Sequence, residues 1–128
     1  MHKPYEERAG HPPDFEVTYR LFTADEGGRR TPAFQGIRWD FLYEDFSKEA
    51  FMIWPEFLDK NGVLFAEEFE PIEPYGRALM WIVNPALRRT VHQHRIKVGT
   101  RGYFMEGLTK VGVCEVTRIL GLMSNPVG

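Results

Sequence analysis

The chain has 128 residues, 43% hydrophobic and 27% charged, with 16 Lys+Arg against 18 Asp+Glu for a net charge of −2. That length suits one domain with one core, and that composition excludes whole-chain disorder, collagen-like repeats and low complexity. No apolar run approaches the ~20 residues that span a bilayer, and the near-neutral total argues against a bulk nucleic-acid coat.

Residues 1–13, with Gly10, Pro12 and Pro13, read as a flexible arm without the apolar stretch of a secretory signal. Phe15, Val17, Tyr19 and Leu21 alternate with polar neighbours, the period-2 pattern of a half-buried strand. Residues 25–32 form a loop in which Gly27 and Gly28 admit positive φ and Pro32 interrupts pairing. A second strand is expected from Ile37, Trp39, Phe41 and Tyr43. Residues 48–58 read as a short helix or irregular strand, since Pro55 blocks a regular helix. The following Asp59-Lys60-Asn61-Gly62 suggests a type I′ hairpin turn. The apolar run 78–83 suits a buried strand, and 95–98, 103–105 and 111–120 supply further strands between glycines. Residues 123–128 read as a tail. The fold class expected is all-β, with residues 14–122 as one domain.

Charge is segregated along the chain. Residues 40–73 carry ten carboxylates against Lys48 and Lys60, a net −8, whereas the 32 residues 74–105 carry six Arg/Lys and no carboxylate. Either the two stretches pair across strands or the molecule is dipolar, with one basic face for an anionic partner.

Motifs for chemistry are few. The chain has no Gly-x-x-x-x-Gly-Lys-[Ser/Thr] phosphate loop, no Gly-x-Ser-x-Gly turn and no His-Glu-x-x-His pair. His92 and His94 have a spacing compatible with metal on a strand, but two ligands without a third do not define a site. Cys114 reads as a small buried hydrophobe; a single cysteine fits a reducing, cytoplasmic setting. A non-enzymatic chain without cofactor, metal or bound nucleotide is expected.

Three segments carry a resemblance. Phe15-Glu16-Val17 running to Glu26-Gly27-Gly28-Arg29-Arg30-Thr31-Pro32-Ala33-Phe34, then Gln35-Gly36-Ile37-Arg38, and finally residues 105–120 with Glu106-Gly107 and Val116-Thr117-Arg118-Ile119-Leu120, resemble the C-terminal β-barrel domain of elongation factor Tu. The resemblance implies a six-stranded closed antiparallel barrel with an irregular or short helical insertion. It further implies a non-catalytic role contacting tRNA, other RNA or a translation-associated protein, without GTP hydrolysis. The arginine that precedes Glu-Gly in the family turn is Met105 here, and the signature histidine is Arg30.

Candidate anion-binding residues are therefore Arg88, Arg89, Arg95, Lys97 and Arg101 of the basic stretch, Arg29 and Arg30 of the signature loop, and Glu106 and Gly107 of the family turn. The alternative is a protein–protein adaptor imitating the barrel, using Trp54, Phe57, Phe65, Phe69 and Tyr75 among the carboxylates.

Overall fold

Strand alternation places the first strand where the sequence reading put it. In the computed structural model, which describes all residues Met1–Gly128, β1 is Phe15–Leu21, with Phe15, Val17 and Tyr19 buried. The other strands are β2 (Asp40–Tyr43), β3 (Phe46–Phe51), β4 (Ile53–Phe57), β5 (Tyr75–Ile82), β6 (Arg101–Glu106) and β7 (Thr109–Ile119). They form one antiparallel sheet in the order β3-β2-β6-β7-β1-β5-β4, curled into a half-barrel.

The fold is all-β, as expected, but it is a half-barrel of seven strands rather than a closed barrel of six. The difference arises at Met52. Residues 46–57 are one stretch whose first part pairs with β2 through Phe41↔Phe51 and whose second part pairs with β5 through Ile53↔Ile82. The stretch thus supplies both edges of the sheet.

Residues 48–58 take the irregular-strand alternative, within β3 and β4, and the main helical part lies at 85–95. It consists of α2 (Pro85–Leu87), a π turn (Arg88–His92) and α3 (Gln93–Arg95), so no strand begins at Arg95. Asn84 starts it by accepting the Ala86 and Leu87 N–H groups on its side-chain oxygen, with Pro85 at the first helical position. The 59–62 turn is not type I′, because no non-glycine residue has positive φ; Asp59 Oδ1 instead accepts from the Asn61 and Val63 N–H groups.

The half-barrel encloses an aromatic core. Phe15, Phe41, Tyr43, Phe57 and Phe104 are fully buried, with edge-to-face contacts such as Phe15–Phe41 at 6.3 Å and Tyr19–Phe57 at 5.1 Å. Trp39 stacks on Phe104 at 5.5 Å. No helix is long and apolar enough to cross a membrane.

Both chain ends are tied to this body. Residues 1–13, expected as an arm, contain the one-turn helix α1 (Tyr5–Ala9), and His2 and Tyr5 both reach Glu56 of β4. In the tail, Asn125 is buried and its amide donates to the Pro12 carbonyl (2.8 Å) and to Asp14 Oδ1 (3.0 Å).

Candidate ligand groove

The basic stretch does not form one basic face. Arg88 is 1% exposed and clamps Asp14, with Nε donating to Oδ1 at 2.7 Å and the second terminal nitrogen to Oδ2 at 3.3 Å. Its guanidinium also donates to the Ile82 carbonyl (3.0 Å) and the Pro126 carbonyl. Arg88 is thus removed from the expected anion site, because a buried carboxylate at the start of β1 requires its charge. Arg101 lies between Glu44 (3.2 Å) and Glu115 (3.3 Å), and Arg95 lies 4.4 Å over the Phe46 ring, near Asp45. Arg77 pairs with Glu16. Two of these four arginines pair with the acidic stretch, and the other two with carboxylates of the segment around β1. Arg89 and Lys97 are exposed and make no ion pair.

The 25–32 loop and the β6–β7 turn, both named as candidate sites from the sequence, do meet. Arg29 pairs with Glu106, and its other N–H groups reach Thr31 Oγ1 (3.0 Å) and the Thr31 and Pro32 carbonyls. The same Glu106 carboxylate accepts the Trp39 indole N–H at 3.0 Å, so these residues hold loop to turn. Gly27 has the expected positive φ of +93°, but Gly28 is required for a different reason: a Cβ there would meet the Phe22 carbonyl oxygen at 2.3 Å. Gly107 turns the β6–β7 hairpin at φ +61°, and Arg30 is exposed without an ion pair.

Buried polar groups near the helical turn serve the interior. His92 Nδ1 lies 2.6 Å from the Tyr43 hydroxyl, and burial pushes the imidazole down to about 4. His94 is exposed, so the two histidines diverge on helical backbone. Burial pushes the Cys114 thiol up. Of the proposed adaptor contacts, Phe57 is buried and Phe65 packs on the core, whereas Phe69 and Tyr75 are 86% and 72% exposed.

An unpaired basic cluster lies elsewhere, on the outer face of β4 and β5. Trp54 and Trp81 are direct cross-strand partners, and on this face Glu56 follows Trp54 two residues along β4. Glu56 is 1% exposed, yet its carboxylate has three partners. It accepts the Trp81 indole N–H (3.0 Å) and the Tyr5 backbone N–H (2.9 Å), and lies 2.6 Å from His2 Nε2. A buried carboxylate with these bonds fixes the N-terminal segment over the tryptophans. Tyr5 then meets Trp81 edge-on at 6.1 Å, and His11 lies 5.7 Å from the same indole.

Between α1 and the strands is a cavity of about 350 Å³, walled by Tyr5, His11, Trp54 and Trp81 and flanked by Arg8 and Arg38. Arg38 lies 4.7 Å over the Trp54 ring. A second cavity of about 210 Å³ shares Tyr5, Arg8 and Arg38 and adds His2 and Lys3. No carboxylate lines either cavity, and Lys3, Arg8 and Arg38 form no ion pair. Burial, then Glu56, raise the Tyr5 hydroxyl, while the fields of Arg38 and Arg8 act the other way.

This arrangement can hold a planar group against aromatic walls while cations meet an attached negative charge. Sequence reasoning missed it, because Arg8 and Lys3 lay in the presumed arm and Arg38 was one residue in a strand pattern. No protein-family model and no curated protein matches the chain.

Proposed function

We propose that the chain is a non-enzymatic binding module for RNA, on a frame resembling the C-terminal barrel of elongation factor Tu, with the α1–β4–β5 groove as its anion-facing surface. The observation that carries this reading is the set of three unpaired cations, Lys3, Arg8 and Arg38, around aromatic walls without a lining carboxylate. Cations without protein partners are available to phosphates, whereas Arg88 and Arg101 are committed to carboxylates. Two of the segments that carry the resemblance are joined by the Arg29–Glu106 pair.

The test is binding of labelled tRNA by fluorescence anisotropy at several salt concentrations. Neutralising three phosphates of single-stranded regions gives a slope of about −2 in log K against log salt. No binding at low salt refutes the RNA reading.

The exposure of Phe69 and Tyr75 beside Glu68, Glu70 and Glu73 favours one second reading, an adaptor that contacts a translation-associated protein. Absence of RNA binding, together with a protein interaction lost on Phe69→Ser and Tyr75→Ser, selects it.

A further inference from the structure

We infer that the groove takes one unstacked nucleotide of a single-stranded RNA, with its base against Trp54 and His11 over the Trp81 floor and its own and the adjacent backbone phosphates on Lys3, Arg8 and Arg38. The inference rests on the RNA reading above and adds which form of RNA is recognised and by which contact.

Size, lining and charge each bear on it. The main cavity, about 350 Å³, falls in the ~300–1,000 Å³ range of small-ligand sites. That volume accommodates a single base, and Tyr5, Arg8 and Ala9 of α1 line it on one side. Six of its nine lining residues are hydrophobic, which a site for phosphate alone would not need. Two cations, Arg8 and Arg38, line both this cavity and the smaller one, and Lys3 lines the smaller one. A nucleotide has this division: a flat apolar ring at one end and a charged phosphate at the other.

Stacking has a surface ready for it. Arg38 Cζ lies 4.7 Å over the Trp54 ring centroid, and aromatic rings and guanidinium planes of this kind receive the bases of single strands. A base paired in a duplex has both faces covered by its neighbours and cannot reach them. The charged groups facing the site from α1 and its leading segment are His2, Lys3 and Arg8, from the 33–39 segment Arg38, and from β4 Glu56. Glu56 is occupied by its three hydrogen-bond partners and is turned into the protein, so it does not repel the phosphate at close range.

Intrinsic tryptophan fluorescence tests this on the full chain, because Trp54 is partly exposed at the site while Trp39 is buried in the core. The probes are a single-stranded oligoadenylate, an RNA duplex of the same length, and AMP. The expected result is saturable quenching by the oligoadenylate, none by the duplex, and binding about tenfold weaker in Trp54→Ala. Arg38→Ala, at an exposed position, should also weaken binding, with an unchanged melting temperature as the check on folding. Equal binding of single strand and duplex without quenching would overturn the inference while leaving RNA binding intact. Binding of neither RNA would remove the RNA reading itself. Quenching by AMP alone would overturn the RNA source and assign the site to free nucleotide.

Discussion

Two regions of this molecule bring arginine close to aromatic rings, and they use it oppositely. In the helical turn at 85–95, Arg88 is buried against Asp14, and Arg95 covers Phe46 beside Asp45. In the α1–β4–β5 groove, Arg38 covers Trp54 and, like Arg8, has no carboxylate partner. The first region is conspicuous in the sequence, as a long stretch free of acids, and is largely neutralised in the fold. The second is inconspicuous in the sequence and keeps its charge. A run of basic residues therefore says little about surface potential until the positions of the carboxylates are known.

The largest effect that would break this comparison is expected at Arg88. Arg88→Ala leaves Asp14 buried and unpaired and should cost about 3–5 kcal/mol in urea unfolding. A loss below ~1 kcal/mol would mean the guanidinium is not required inside and the helical turn could present it outward.

His92 sharpens the same point. Its imidazole, faced by Tyr43 and by the charges of Asp14, Arg88 and Arg95, is held down to about 4 by burial, against an ordinary value of 6.5. The unfolded chain binds the proton more readily, so stability is full above pH ~6.5 and falls as the pH drops toward ~4. The total loss should be on the order of 3 kcal/mol. Denaturant midpoints at pH 7 and pH 4.5 check it, with His92→Gln, which can still hydrogen-bond to Tyr43, showing the shallower pH dependence.

The smallest effects separate the two arginines of the signature loop. Arg29→Ala removes the pair with Glu106 and should cost about 1 kcal/mol, because both groups are partly exposed. Arg30→Ala should change stability by less than ~0.5 kcal/mol. Thermal melts of the two variants give the contrast directly.

The parts of the fold legible in the sequence were those fixed by one-sided burial. Phe15, Val17, Tyr19 and Leu21 each meet the core side, so alternation located β1 to the residue. The helical turn was missed although Asn84-Pro85 is a helix-start signal, the Asn side chain capping and the Pro at the first position. The groove had no local signal at all. It needs Trp54 and Trp81 in register across two strands, Arg38 brought beside them, and an N-terminal segment pinned by Glu56. Gly10, Pro12 and Pro13 gave that segment the composition of a loose arm, while its anchor lay far along the chain in β4. Of the expected anion-site residues, Arg29, Glu106 and Gly107 do come together, as a structural clasp between loop and turn.

The most direct measurement of the central claim compares two double variants for binding of single-stranded RNA at low salt, each checked for an unchanged melt. Arg8→Ala/Arg38→Ala removes groove cations, and Arg89→Ala/Lys97→Ala removes the unpaired cations of the basic stretch. The account predicts that the groove variant loses at least tenfold in affinity and about 1.4 from the magnitude of the salt slope if each arginine neutralises one phosphate, while the other variant stays within about twofold of wild type. The reverse pattern, binding lost with Arg89 and Lys97 and kept without Arg8 and Arg38, would contradict it.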